Sequence, residues 1–254
     1  MPKLLSFIGN GNMALAIAVG LKDRYEIEVI GRDQDKLEHF EKALGKNIQK
    51  HSLEGFDISN KTIIFAVKPQ NLEEVSAKLK GKAQTLYSIL AGTTVEKLQK
   101  YIPANSCVRA MPNMAAALAK SMTTLTGSLE QKEEALEIFS SIGKAHWLGS
   151  EKEIDVATAL AGSGPAYLAL IAEALCDGAV NQGLKRPDAM VIMRGLFEGF
   201  GSLIQEQHPA LLKDGVMSPG GTTAAGYCAL EKAGVRDACI EAIAKANERA
   251  KALS

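Results

Sequence analysis

LLSFIGNGNMALAIAVGLK, residues Leu4–Lys22, decides the fold. A short apolar run ends at Gly9, and from Asn12 onward the apolar residues recur at helical spacing, so a buried strand runs through a tight turn into a helix. The turn carries Gly9-Asn10-Gly11-Asn12-Met13-Ala14. Gly9 makes the bend, Gly11 lets backbone approach a pyrophosphate, and Ala14 takes the helix-packing position sometimes held by a third glycine. Asn12 and Met13 fall in the first helical turn, where unpaired N–H groups and the positive dipole end favour an anion. In this strand–loop–helix setting the pattern predicts a dinucleotide site, although a bare GxGxxA is a weak signal.

Working outward, "EIEVIGR" reads as a second strand and "DQDKLEHFEKAL" as a second helix, and "KTIIFAVKP" is a buried strand stopped by Pro69. The helix "NLEEVSAKLK", the strand "QTLYSIL", the helix "TVEKLQKY", the strand "SCVRAM", and finally "SMTTLTG" with the helix "EQKEEALEIFSSI" follow. Continuous Val/Ile/Leu runs alternating with helical periods predict a parallel sheet covered on both faces. From Ile154 no strand is expected, only helices over about 154–183, 188–206, 221–233 and 235–252. The expectation is an α/β protein, with an N-terminal Rossmann-type doubly wound sheet followed by an all-helical dimerisation domain. The domains are 1–151 for dinucleotide binding and 152–254 for substrate and dimerisation.

Dimerisation follows from "ATALAGSGPAYLALIAEALCDGAV" (Ala157–Val180), which has no continuous polar face. A helix apolar all round must be buried, and the remaining helices of so small a domain cannot enclose it. The missing cover is expected from a second copy about a two-fold axis, over an interface above ~2,000 Å².

The 254 residues are 46% hydrophobic and 23% charged, with formal net charge zero. No Lys/Arg-rich run points to nucleic acid. Cys107, Cys176, Cys228 and Cys239 have neither CxxC spacing nor His neighbours. They read as buried thiols of a cytoplasmic protein, with no disulfide framework and no metal site. "MPKLLSFIG" is too short and too soon broken for a signal peptide. The longest uncharged run, Val156–Ala172, falls short of the ~20 residues a membrane span needs, so no membrane partner is expected.

At the cofactor end the second strand closes with Gly31-Arg32, and Asp33 comes one or two positions late for the usual ribose-binding acid. Losing that carboxylate removes repulsion against a 2′-phosphate, and Arg32 can pair with one, which favours NADPH; NADH remains possible through Asp33. Ligands of such sheets sit beyond the carboxyl ends of the strands. This brings in Ala66, Val67, Lys68 and Pro69 of "AVKPQ", Ala91 and Gly92 of "LAGTT", and Asn113 of "RAMPN". Each of these loops could equally be an ordinary strand-ending turn.

A second anion cradle lies far downstream in "VMSPGGTTAAG", where a Gly-Gly turn flanked by hydroxyls opens an Ala-rich helix. The alternative is plain N-capping by Ser218 or Thr222, but capping needs no glycine pair.

Taken in order, "FIGNGNMA", "FAVKPQ", "RAMPN", "AGSGPAY", "EALCDGAVNQGL" and "VMSPGGTTAAG" make the chain resemble pyrroline-5-carboxylate reductase over its whole length. Met114-Ala115, where Thr-Pro is common, is a small departure. The resemblance implies NAD(P)H-dependent reduction of the C=N bond of 1-pyrroline-5-carboxylate to L-proline. It also implies a homodimer through the helical domain, with a decamer as a further assembly, and a substrate site between the nicotinamide and the "SPGGTT" loop. The substrate carboxylate would sit on the N–H groups of Gly220, Gly221 and Thr222, with the hydroxyls of Ser218 and Thr222 adding bonds of ~1.5–3 kcal/mol each. By the same resemblance, Thr223 reaches the ring nitrogen and Glu206 lies near the active site, acting through water; alternatively Glu206 is a solvated carboxylate at a helix end.

No Lys occurs between Lys152 and Lys185, where hydroxyacid dehydrogenases of this layout carry one for alcohol chemistry. His39, His51, His146 and His208 lack a Ser or Asp partner and read as surface residues. Two other readings stand beside the reductase. One is another imine or keto-acid reductase on the same scaffold. The other is a non-catalytic NADP-binding regulator, which would have no need of the second cradle.

Overall fold

The computed structural model describes residues 3–253. By internal contacts the chain divides into two compact units, one running to Ser163 and including the stretch from Lys245, the other Gly164–Ala244.

The first unit has strands β1 (Leu4–Ile8), β2 (Glu26–Gly31), β3 (Gln49–Ser52), β4 (Phe56–Asp57), β5 (Thr62–Phe65), β6 (Leu79–Lys80), β7 (Ala83–Ser88), β8 (Ala104–Met111), β9 (Ser121–Gly127) and β10 (Gly143–Trp147). Between them lie helices α1 (Asn12–Leu21), α2 (Gln34–Leu44), α3 (Leu72–Ser76), α4 (Val95–Tyr101) and α5 (Lys132–Ser140), and α6 (Glu151–Ala157) follows. The main sheet has the order β10-β9-β8-β7-β5-β1-β2-β3, and β4 and β6 form a separate small ladder. From β3 to β8 all pairings are parallel; β9 runs antiparallel to β8. The expected parallel sheet is therefore mixed at one edge. The edge strands β3 and β10 and the β4–β6 ladder are additions to the sequence reading.

The two faces of the sheet separate by residue parity. On one face Leu5, Phe7, Val29, Ile64, Tyr87 and Val108 pack with α1, α2 and α5 through Ile17, Leu21, Phe40 and Phe139. On the other, Ile8, Ile30, Ile63, Phe65, Leu86 and Cys107 meet Leu72, Val75 and Leu98 of α3 and α4. Burial on both faces explains why these strands carry continuous apolar runs.

One carboxylate sits inside this sheet. Glu28 of β2 accepts from Ser6 at 2.5 Å and from Lys61 at 2.7 Å. Nε2 of His51 lies 3.1 Å from its other oxygen, although not aligned for a hydrogen bond. His51, expected at the surface, is thus half-buried beside a charge, because β3 carries it against β2.

The second unit holds α7 (Gly164–Asn181), α8 (Arg186–Glu206), α9 (Pro209–Val216) and α10 (Thr222–Lys232), and α11 (Val235–Leu253) starts in it. The expected long helix from residue 154 is α6 and α7 joined through a π-turn at Thr158–Gly162, and α9 was not foreseen. Cys176 and Ala189 are the buried hydrophobic residues of this unit, while Leu168, Leu170, Val191, Ile192, Leu196 and Leu203 are exposed. Cys228 and Cys239 are exposed too, against the expectation of four buried thiols, because a single copy leaves these helix faces uncovered. The helical run Glu151–Asn181 is long and apolar enough to cross a membrane by length and composition alone, a property shared with core helices of soluble proteins.

The Cys107 thiol is pushed up from its ordinary 9.0 to about 12, chiefly by burial and then by the nearby Glu151 carboxylate. A folded value above the unfolded one gives stability that is whole below pH 9 and lost as pH climbs towards 12, since only the unfolded chain sheds the proton in that window. Denaturant midpoints measured across pH 9–12 should therefore fall less steeply for Cys107→Ala than for the unaltered protein, whatever their offset at neutral pH.

Candidate functional site

The turn between β1 and α1 is built around Gly9, whose φ is +110°. Its N–H donates to the Ile30 carbonyl at 3.0 Å, and Ala66 N–H donates to the Ile8 carbonyl at 2.8 Å. A Cβ on Gly9 would lie 2.5 Å from the Ala66 oxygen. Both conformation and space therefore demand glycine here. Gly11 is different: its φ is −80° and a Cβ would meet nothing within 4 Å. It is the N-cap of α1 and offers no side-chain hydrogen bond, and no acidic residue occupies the first turn. The first amides of α1 therefore have no capping side chain. Behind them Ala14 is buried in the core and Met13 packs partly against it.

A cleft of about 340 Å³ opens here, at the carboxyl ends of β1, β2 and β5. Gly9, Gly11, Arg32, Ala66, Val67 and Lys68 of the expected residues line it. It also takes in Asn10, Lys36, Leu53 and Asn71, which sequence reading missed. Asn10 Nδ2 is buried without a hydrogen-bond partner, and it is the atom a Cβ on Gly31 would strike, at 2.9 Å. An unspent donor in a cleft whose glycines leave room for a ligand fits a dinucleotide. The one hint in sequence was a polar residue placed between two glycines.

At the far end of the cleft Arg32 and Lys36 supply positive charge. Arg32 is half-exposed and pairs with Glu74 of α3 at 2.5 Å. Asp33 caps α2, its Oδ1 accepting from Lys36 N–H at 3.2 Å; it is not among the cleft-lining residues. Pro69 and Ala91 line a neighbouring cavity of about 400 Å³ with Thr93 and Lys97. Gly92 has a left-handed φ of +60° in the turn after β7.

Asn113 follows β8. Its side chain accepts from Ala115 N–H at 3.1 Å and donates to the Ala161 carbonyl at 3.0 Å. Four residues earlier Arg109, buried within the sheet, pairs with Glu151 and Asp155 of α6, each at 2.9 Å. Glu151 also accepts from Val95 N–H at 2.8 Å. Losing either carboxylate leaves the other to pair the guanidinium, so the cost stays below the ~3–5 kcal/mol of a fully broken buried pair, and together the contacts tie α6 to the sheet.

In the helical unit, Pro219 and Gly220 form a turn closed by Gly221 N–H donating to the Ser218 carbonyl at 3.0 Å. Gly220 has φ +70°. Gly221 is the N-cap of α10, with no side-chain capping bond and no acidic residue in the first turn. Neither Ser218 nor Thr222 caps the helix. Because Gly221 N–H is spent in the turn, the amides left to an anion are those of Thr222 and the residues after it. Thr222 and Thr223 are exposed, as is Glu206 at the end of α8.

Comparison with known proteins assigns these parts. The model described as pyrroline-5-carboxylate reductase dimerisation matches residues 151–253, and that described as NADP oxidoreductase, coenzyme F420-dependent, matches residues 4–92. The pyrroline-5-carboxylate reductase of Synechocystis is 38% identical over 98% of this chain and 97% of its own length. The solved structure of the 1-pyrroline-5-carboxylate reductase of Streptococcus pyogenes superposes with TM-score 0.84 at 30% identity, over 98% of each chain. That of the Plasmodium falciparum pyrroline carboxylate reductase, solved with NADP bound, gives 0.78 at 26% over 99% and 98%.

The two loop glycines carry different constraints, and melting curves should separate them. Gly9→Ala should destabilise the fold by about 2 kcal/mol or more, through strain and the clash with Ala66. Gly11→Ala, which meets no clash but weakens an N-cap, should cost no more than about 1 kcal/mol. A turn that needs its first glycine for folding and leaves its second free for a ligand, joined to a helical unit of matching kind and to relatives alike from end to end, places this chain in the pyrroline-5-carboxylate reductase family.

Proposed function

We propose that the protein reduces the C=N bond of 1-pyrroline-5-carboxylate to give L-proline, with NADPH as the favoured cofactor and NADH as the lesser one. The single observation that carries this is the presence of two anion cradles in one chain, each a glycine-capped helix start without a side-chain cap, within a family of this activity. A regulator that only sensed NADP would need the first cradle alone. Another imine or keto-acid reductase on the same scaffold is the enzyme-level alternative, and it is read by comparing substrates in the same assay. The functional division is 1–151 for the cofactor and 152–254 for substrate and dimerisation, in a cytoplasmic protein.

The cofactor supplies the hydride, and the protein's task is to bind, orient and manage one proton. Gly11, Asn12, Met13 and Ala14 present the first amides of α1 to the pyrophosphate, with Gly9 shaping the turn. Asn10 offers its unspent amide. Ala66, Val67, Lys68, Pro69, Ala91, Gly92 and Asn113 form the loops beyond β5, β7 and β8 that hold the nicotinamide end. Arg32, aided by Lys36, takes the 2′-phosphate and leaves Glu74 to do so.

At the second cradle Thr222 and the amides following it, with Ser218 and the close approach allowed by Gly220 and Gly221, hold the substrate carboxylate. A carboxylate fixed there sets the ring's C5 for attack. The Thr223 hydroxyl hydrogen-bonds the ring nitrogen as it becomes an amine, and Glu206 supplies the proton through water.

The exposed leucines and valines of α7 and α8 are the face a second copy covers, which makes the assembly a homodimer, with a decamer as its further stage. No nucleic-acid or membrane partner is invoked.

Loss of NADPH absorbance on adding pyrroline-5-carboxylate tests the proposal directly; no turnover with that substrate would refute it. In the same assay Thr223→Ala should lower kcat. Gly221→Ala should raise KM, because its methyl must displace the Ser218 hydroxyl, 2.8 Å away. Gly11→Ala, stably folded, should lose NADPH affinity.

Arg32→Ala should weaken NADPH by about 1–3 kcal/mol and leave NADH nearly unchanged, as seen by fluorescence titration. Equal losses for both cofactors would show that Arg32 does not read the 2′-phosphate.

A further inference from the structure

The loop after β8 holds one residue whose polar groups are all committed within the protein. Asn113 N–H donates to Oγ of Ser121 on β9 at 3.0 Å, and its carbonyl accepts from Ala116 N–H at 3.0 Å. Its side-chain oxygen accepts from Ala115 N–H, and its side-chain nitrogen donates to the Ala161 carbonyl. Ser121 itself is buried, in contact with Thr123 Oγ1 at 3.1 Å.

Why Ala161 needs an outside donor follows from the sequence. In an α-helix its carbonyl would accept from the N–H of the residue four ahead, and that residue is Pro165, which has none. The backbone around it is already irregular: Thr158–Gly162 is a π-turn, with Ser163 N–H reaching back to the Thr158 carbonyl at 3.1 Å. π-turns are costly local distortions that tend to persist where they serve a site. The Asn113 amide stands in for the proton donor that proline removes.

β8 runs parallel to β7, β5 and β1, so Met111–Met114 leaves the sheet at its carboxyl end, where ligands of such sheets bind. We propose that Asn113 is a positioning residue for the reduction: its side chain clips the Pro112–Met114 loop to the π-turn and thereby sets the backbone at the nicotinamide end, rather than bonding the cofactor itself. Arg109, anchoring α6 on the same strand, is the fixed point against which this clip works. This inference rests on the reductase reading above and deepens it.

The test is a double-mutant cycle between Asn113 and Pro165 in the full-length protein. Asn113→Ser can still cap Ala115 but cannot reach Ala161. Pro165→Ala gives the helix its own donor for that carbonyl. Asn113→Ser should lower kcat at least about ten-fold while the NADPH dissociation constant, from fluorescence titration, stays within about two-fold. Adding Pro165→Ala should return most of the lost kcat. Should Asn113→Ser fail to fold, Asn113→Thr likewise keeps an acceptor for Ala115 without reaching Ala161 and adds no charge, and the same kcat loss is expected of it.

An NADPH dissociation constant raised ten-fold by either variant would make Asn113 a cofactor ligand and overturn the proposal. So would an unchanged kcat. Rescue by Pro165→Ala in melting temperature but not in kcat would reduce the clip to a purely structural bond, and would overturn the positioning claim. Unaltered protein that binds NADPH without reducing pyrroline-5-carboxylate would instead bring down the reductase reading, and the positioning claim that rests on it. The clip as a bond would still be read by the melting-temperature cycle.

Discussion

The whole cofactor end depends on how closely β1 approaches the end of β5. Gly9 turns with its backbone against Ala66, at a distance no side chain could share. That contact fixes the turn from which α1 starts, at the carboxyl end of β1 between its two neighbours β2 and β5. Everything else in the cleft is consequent on it. Gly31 has no side chain because Asn10 lies over it, and Asp33 is spent as the cap of α2 while Arg32 lines the cleft. A single conformational demand on one residue is thus converted into the position of a helix dipole.

A second fixture lies on β8. Arg109 and Asn113 sit on the same strand and its exit loop, and between them they hold the helical stretch from Glu151 to Ala161 by charge at one end and by an amide at the other. Burying a guanidinium between two carboxylates gives geometry more than energy, since desolvation consumes much of the Coulombic gain. What it secures is the place at which the chain passes from sheet to helices.

Much of this was legible in the sequence, and the parts that were not share physical causes. Strands buried on both faces announce themselves by unbroken apolar runs, as in Leu4–Ile8 and Thr62–Phe65. The edge strands, "QKHS" and "GKAHW", have only partial cover, so their polar residues hid them. The antiparallel setting of β9 leaves no local trace, because pairing direction is decided by connections rather than composition. The glycine turns at both helix starts could be read, since their conformational requirement is local. Partners such as Glu151 for Arg109, or Ala161 for Asn113, lie more than forty residues away. The only clues were an arginine inside an apolar strand and a proline inside a helix.

The bare helical half carries a consequence for the protein in its cell. With α7 and α8 leaving leucine and valine side chains exposed, and with the region matching a dimerisation domain, cover for these surfaces is what a second chain would bring. Folding then ceases to be a private event. The stability of each copy scales with how many copies surround it, and dilution acts as a denaturant. Damage is shared as well, for a defective chain that still pairs draws a sound one into a compromised couple. Abundance, as much as sequence, sets how robust such a protein can be.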